Sequence, residues 1–330
     1  MTLTDVALLA CPACRGELAW AGRSRGDLLE VGWLRCGGCR ASWPVVDGLP
    51  RLFREQEVRG KDRLMRVLYD GLPSLHDPLT ALLTPVLQGI SEEELREGYV
   101  SRLELGALSP RPGGPPLRLL EVGMGAGANL PLIARELPPG LEVEVWGVDL
   151  SEGMLGCCRE RLEREGHRGV RLLLGDAHAL PFPDHAFDRV FEIGGINGYR
   201  DPGRALAEMA RVARPGTPLV VVDEQLDARA RTLRDRLAFR LLTFYTRRAH
   251  SPRALLPSEA VDITEEQISR FYFCLSFRMP RTRRSAPLVE DDVEQAQRHS
   301  AGEVDGGPVE PLRVVSHERG DEAGHFLQGA

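Results

Sequence analysis

Lysine is almost missing from this chain. Lys61 is the only one among 42 lysine and arginine residues, a bias we attribute to genome composition rather than to function. No run approaches the ~18 consecutive apolar residues of a membrane span, and the amino terminus lacks the basic-then-apolar pattern of a signal peptide, so a cytoplasmic location is expected. There is no cationic excess either: a formal net charge of −6 argues against wholesale coating of nucleic acid, while leaving room for a local basic patch. After Cys39 cysteine is sparse, with only Cys157, Cys158 and Cys274, and the late histidines His299, His317 and His325 are too dispersed for a metal cluster. What remains, at 330 residues and 36.5 kDa, is enough for one large domain with a small appended module.

The stretch that organises the chain is Leu117-Arg-Leu-Leu-Glu-Val-Gly-Met-Gly-Ala-Gly-Ala-Asn129. Its short apolar run, bounded by turn residues, reads as a strand buried on both faces of a parallel sheet. Gly123, Gly125 and Gly127 then permit a sharp turn and close approach to a ligand. Gly123-x-Gly125-x-x-Ala128 also fits the looser dinucleotide fingerprint, so this stretch alone implies a nucleotide-like cofactor without saying which.

Near the amino terminus, Cys11-Pro-Ala-Cys14 and Cys36-Gly-Gly-Cys39 form two C-x-x-C knuckles across a polar hairpin, the spacing with which a zinc ribbon presents four thiolates. Four thiolates leave no open position for water, so a structural zinc is expected, and metal affinity can order so small a module. With Trp43-Pro-Val-Val-Asp-Gly-Leu-Pro-Arg-Leu52, the stretch from Leu9 to Phe53 resembles the zinc-ribbon activator proteins that partner tRNA and release-factor methyltransferases. The resemblance implies a zinc-ribbon module over residues 1–53, fused to an enzyme and able to dock a protein partner.

Residues 54–116 read as a helical cap segment and linker. Ser91-Glu-Glu-Glu94 forms a capping box, and Ser109-Pro-Arg-Pro-Gly-Gly-Pro-Pro116 supports neither helix nor strand. Within the cap, Val67-Leu-Tyr-Asp-Gly-Leu-Pro-Ser-Leu-His-Asp77 resembles the Tyr-Asp repeat of ubiquinone and menaquinone C-methyltransferases, with His-Asp in place of the second Tyr-Asp. That likeness makes Tyr69 and His76 acceptor-site candidates.

From Leu117 strands and helices alternate as in an α/β sheet. Asp149 ends the second strand, where a carboxylate can accept from ribose hydroxyls. Gly175-Asp176-Ala177-His178-Ala179-Leu180-Pro181-Phe182 follows the third strand, then Phe187-Asp188, and later Arg214-Pro215-Gly216-Thr217. Together with Glu121-x-Gly-x-Gly-x-Gly127 and Val148-Asp-Leu-Ser151, these motifs resemble the class I S-adenosylmethionine methyltransferases. The resemblance implies an α/β fold: a Rossmann-like doubly wound sheet with an antiparallel last strand over residues 117–280, plus the small N-terminal zinc ribbon. It also implies cofactor roles. Glu121, Gly123, Gly125 and Gly127 would hold the methionine end, Asp149 and Leu150 the ribose, and Asp176 and Ala177 the adenine, with Glu192 in the same set. Glu192-Ile-Gly-Gly-Ile-Asn-Gly-Tyr199 lies at the carboxyl edge, where Asn197 and Tyr199 are placed to orient an acceptor. No general base is named, because in-line transfer of a sulfonium methyl needs chiefly alignment and a dry pocket. His178, in the Asp176 loop, is discounted for that role.

Ala228 to Arg248 reads as an amphipathic helix with Leu233, Leu237, Leu241 and Phe244 on one face. Between Arg229 and Arg253 eight arginines (229, 231, 234, 236, 240, 247, 248, 253) face one acid, Asp235. Three readings stay open: a lid whose apolar face covers the active site, peripheral contact with an anionic membrane, and contact with RNA. Residues 281–330 are expected to form a disordered tail. The leading expectation is a methyltransferase for a small-molecule or lipid/quinone-like acceptor. The alternatives are an rRNA or tRNA base methyltransferase that uses the ribbon for docking, and a non-catalytic scaffold.

Overall fold

The computed structural model describes residues 1–281, apart from positions 72, 112, 168, 231 and 247 and the side chains of 75–77 and 79. The tail expected from residue 281 therefore lies outside the described residues beyond Arg281, as does the His76 side chain.

The amino-terminal part is an antiparallel meander of β1 (Leu18–Arg25), β2 (Leu28–Cys36), β3 (Ser42–Val46) and β4 (Leu49–Leu52). Three helices follow: α1 (Lys61–Gly71), α2 (Pro73–Gln88) and α3 (Glu92–Val100). The capping box before α3 is present, with the Ser91 side chain accepting from the Glu94 amide and the Glu94 carboxylate accepting from the Ser91 amide.

The alternating region gives β5 (Leu117–Val122), α4 (Leu130–Glu136), β6 (Val143–Asp149), α5 (Glu152–Glu165), β7 (Val170–Gly175), β8 (Arg189–Ile193), α6 (Pro202–Val212) and β9 (Pro218–Glu224). After it come α7 (Leu233–Leu242), β10 (Val261–Gln267) and β11 (Tyr272–Arg278). Strands pair in the order β1-β2-β3-β4-β7-β6-β5-β8-β9-β11-β10. The run β7-β6-β5-β8-β9 is parallel, β11 is antiparallel to β9, and the whole is a Rossmann-like mixed sheet. The parallel strands are apolar on both faces because helices cover both; all seven residues of β9 are buried. Trp146, Phe182 and Phe187 pack edge to face on one side.

Three features depart from expectation. First, the N-terminal strands continue the central sheet: β4 pairs in parallel with β7 through Arg51–Leu174 and Leu52–Gly175. Second, β10 is an additional strand, at the edge of the sheet among the described residues, and its Val-Asp-Ile-Thr-Glu-Glu-Gln sequence is largely polar, as suits an edge. Third, the lid reading of residues 228–248 is corrected. The helix spans only Leu233–Leu242, and Leu233, Leu237, Leu241 and Phe244 point outward, 83%, 70%, 77% and 61% exposed. The inward face is instead held by Asp235, which pairs with Arg270 at 3.2 Å, and by Phe239, whose ring lies 5.6 Å from that of Phe271.

Candidate active site

At the carboxyl ends of consecutive strands stand Glu121 (β5), Asp149 (β6), Asp176 (after β7), Glu192 (β8), and Asp223 with Glu224 (β9). Apolar strand interiors carry these acids to one edge, and the turn after β5 lets a ligand reach it. Gly123, Gly125 and Gly127 all adopt left-handed φ values of 73°, 54° and 73°, a conformation side chains disfavour.

Each carboxylate is oriented differently. Asp149 accepts from the Gly125 amide at 2.7 Å and the Ser151 amide at 2.8 Å, and the Leu150 amide also points to it, leaving about one of its roughly four acceptor positions open. Glu121 accepts from Asn129 Nδ2 at 2.5 Å, and Asn129 in turn accepts from the Tyr99 hydroxyl at 2.7 Å. Glu192 accepts from the Gly195 amide at 2.6 Å, and a Cβ on Gly195 would sit 2.6 Å from Glu192 Oε1. Among the described residues, the second oxygens of Glu121 and Glu192 are buried and have no hydrogen-bond partner. Burial pushes Glu121 up to about 8, and burial followed by the Asp223 charge pushes Glu192 well above the usual carboxylate range. Burial likewise raises Asp149.

Asp176 stands apart. Burial opposes its ionisation, but the hydrogen bond and charge of His178 and the Arg200 guanidinium outweigh that and hold it at about 2. Its Oδ1 accepts from the His178 amide at 2.9 Å and contacts His178 Nδ1 at 2.5 Å, while Oδ2 accepts from Arg200 at 2.8 Å, so about one acceptor position remains. Arg200 also pairs with buried Asp62. His178 is fully enclosed, and its Nε2 accepts from the Asp201 amide at 3.3 Å, which ties up both ring nitrogens and agrees with discounting it as a base. Ala177 is buried beside Asp176, and Leu150 is half-buried after Asp149.

The acceptor-side candidates divide. Tyr69, on α1, sits among the charges of Glu224, Asp223, Asp149 and Glu192; burial first, then those charges, raise its hydroxyl pKa. Its neighbour Asp70 caps α5, accepting from the Ser151 hydroxyl at 2.6 Å and the Gly153 amide at 3.0 Å. Tyr199 faces the glycine turn, its hydroxyl 3.2 Å from where a Gly123 Cβ would lie. Asn197 has both amide atoms engaged: Nδ2 donates to the Glu224 carbonyl at 2.9 Å and Oδ1 accepts from the His250 amide at 3.2 Å. It therefore holds the loop. Lys61 closes the same corner, donating to the Asn197 carbonyl at 3.2 Å and to Thr246 Oγ1 at 3.3 Å.

Sequence reasoning missed Asp223, Glu224 and Tyr245. The Tyr245 hydroxyl donates to Glu224 Oε2 at 2.6 Å, and Asp223 accepts from the Asn197 amide at 2.7 Å. Burial, then the adjoining Asp223, raises Glu224 well above the usual range. An acidic pair ending an apolar strand was the available signal.

Among the described residues, Cys11, Cys14, Cys36 and Cys39 bring their sulfurs within 4.8 Å of one another. The Cys11–Cys39 and Cys14–Cys36 separations are 3.7 and 3.4 Å. These are far beyond the ~2.05 Å of a disulfide and near the ~3.8 Å edge of a tetrahedron with ~2.3 Å metal–sulfur bonds. The Cys39 amide donates to Cys36 Sγ at 3.4 Å, the chief cause that lowers the Cys36 thiol to about 6. The donor set fits a tetrahedral thiophilic ion.

Residues 120–221 match the family model described as "Methyltransferase domain", so the chain carries such a domain, in the part that supplies the carboxylate edge. The chain is 43% identical over 108 residues to a demethylmenaquinone methyltransferase of Thermus thermophilus, covering 33% of this chain and 47% of that protein. It is 36% identical over 129 residues to a ubiquinone/menaquinone biosynthesis C-methyltransferase of Geobacter sulfurreducens, covering 39% and 47%. It is also 40% identical over 107 residues to a phosphatidylethanolamine N-methyltransferase of Cereibacter sphaeroides, covering 32% and 50%. The chain thus spans about half the length of these relatives.

Proposed function

We propose that the chain is an S-adenosylmethionine-dependent methyltransferase for a small-molecule acceptor of the quinone or lipid class, with a structural zinc ion on Cys11, Cys14, Cys36 and Cys39. The observation that carries the methyl-donor half is the pair of buried, unpartnered carboxylate oxygens on Glu121 and Glu192. Such groups are costly unless a cationic ligand meets them. A dinucleotide would bring phosphates to this edge, where carboxylates repel them. The relatives' names, quinone and phosphatidylethanolamine methyltransferases, support the acceptor class.

When bound, S-adenosylmethionine supplies an electrophilic methyl group on a positively charged sulfonium. In this reading Glu121, with the Gly123–Gly127 turn, holds the amino-acid end, and Asp149 and Asp176 each offer a remaining acceptor position, to the ribose and to the adenine. Glu192, whose ionisation burial and the Asp223 charge oppose in the free protein, would turn negative charge toward the sulfonium once that cation is bound. Tyr69, Tyr199 and Tyr245 wall the acceptor side and exclude water, so the chain's work is alignment.

Calorimetry with S-adenosylmethionine tests the donor. Asp149→Ala should weaken binding by ~100-fold, as expected for losing hydrogen bonds to a charged group. An unchanged isotherm sinks the assignment. Labelled cofactor offered to separated lipid, RNA and protein fractions tests the acceptor, and label in RNA alone overturns the quinone or lipid class. For the cysteine cluster, metal analysis should find about one zinc per chain.

A further inference from the structure

Helix α7 is amphipathic with its polarity reversed. At about 100° per residue, Leu233, Leu237 and Leu241 fall within about 80° of one another, and this stripe faces solvent together with Phe244. On the same wheel Arg236 and Arg240 flank the stripe on one side and Arg234 on the other, all exposed. The opposite face is fixed by Asp235, which pairs with exposed Arg270, and by Phe239 against Phe271, while Arg240, beside the stripe, donates to the Thr246 carbonyl at 3.0 Å. Fixed contacts therefore set the outward direction of the stripe.

Other apolar side chains are exposed on α1 and α2. Arg270 also reaches the Leu87 carbonyl at 3.4 Å, joining the start of α7 to the end of α2, where Leu82 and Val86 are 68% and 63% exposed. On α1, Leu64, Val67 and Leu68 are 52%, 64% and 43% exposed. Behind α7 lies a cleft of about 500 Å³ whose cationic lining is Arg236, Arg240 and Arg248, beside His250.

We propose that α7 and the segment through His250 dock on the surface of an anionic phospholipid bilayer. The leucine stripe and Phe244 enter the acyl region, and the cleft of Arg236, Arg240 and Arg248 takes lipid phosphate. A leucine stripe between arginine flanks is the pattern of a helix lying in the headgroup plane. Other occupants meet only half of it. A second copy pairing through this face would set arginine against arginine, and RNA has no use for exposed leucines. The inference goes beyond methyl transfer, since docking needs no cofactor.

The test is flotation of the full chain, without cofactor, with phosphatidylglycerol–phosphatidylcholine vesicles and with pure phosphatidylcholine vesicles. Binding is expected to the anionic vesicles and to fall steeply with salt. The combined Leu237→Ser, Leu241→Ser and Phe244→Ser variant should bind ~100-fold more weakly. Arg236→Gln with Arg248→Gln should lose ~10-fold and with it the preference for anionic lipid. Thermal melting and calorimetry with S-adenosylmethionine are run on every variant. Unchanged melting with lost flotation supports docking, whereas loss of cofactor binding in the parent chain affects only the methyltransferase reading. Absence of flotation at low salt overturns the proposal. So does a dimer, seen by sedimentation, that the leucine variant dissociates, or RNA binding that the arginine variant abolishes and the leucine variant leaves intact.

Discussion

Glu121, Glu192 and Asp223 at the sheet edge are 1%, 0% and 0% exposed, while Leu233, Leu237 and Leu241, in the first helix after that sheet edge, are 83%, 70% and 77% exposed. Both regions break the usual sorting of charged residues outward and apolar residues inward, in opposite senses. Each departure is held in place by ordinary contacts: backbone amides and Asn129 at the edge, and the Asp235–Arg270 and Phe239–Phe271 pairs under the helix. Fixed in this way, buried charge asks for a cation and exposed hydrocarbon asks for a non-aqueous surface. Local violations of the sorting rule are where a protein's function is written.

The largest effect should come from neutralising the edge. Glu121→Gln with Glu192→Gln should weaken S-adenosylmethionine binding by ~100-fold yet raise the melting temperature of the free protein above about pH 8, where Glu121 would otherwise ionise in a buried site. Calorimetry and thermal melting read the two signs separately. If both fall, the edge is a structural feature and the contrast with α7 collapses.

The pH dependence follows from Glu121, lifted from 4.5 to about 8 by burial. The native state keeps a proton that the unfolded chain has lost, so this contribution is whole below about 4.5 and is lost as pH rises through about 8. Melting temperature of the free protein should fall across that window. Affinity for a cationic cofactor should rise over the same window and flatten above it, with proton release detected by calorimetry in buffers of different ionisation enthalpy at pH ~7. A flat affinity profile breaks the link between burial and binding.

Smaller still is Tyr245→Phe, which removes the 2.6 Å hydrogen bond to Glu224. A stability loss of ~1 kcal/mol is expected, with cofactor affinity unchanged and methyl transfer reduced. The smallest effect belongs to the exposed stripe, where Leu237→Ser should alter stability by less than ~0.5 kcal/mol in solution. A large destabilisation there would mean the stripe is core after all.

Legibility differed between the two regions for physical reasons. Glu121, Asp149 and Asp176 could be read because each sits in a local strand-then-turn pattern, and the sheet carries such positions to one edge. Asp223 and Glu224 escape a local reading because the sequence predicts a closing strand over residues 217–222, which leaves its acidic end outside the element. The Leu233–Leu237–Leu241 spacing revealed a face but not its direction; Asp235 on the opposite side, paired with Arg270, is what turns the face outward. The pairing of β4 with β7 joins segments more than a hundred residues apart through two residue pairs, and no local pattern encodes it.

That pairing gives the N-terminal strands a second use. The outer side of β7 carries backbone donors and acceptors next to buried Leu172, Leu173 and Leu174, a ready template for strand addition by another molecule. β4 occupies its carboxyl end, and Asp5 holds Arg171 at 3.0 Å further along. A chain trimmed of β4 would bare this edge of β7, leaving unpaired backbone groups of the kind on which another strand can add.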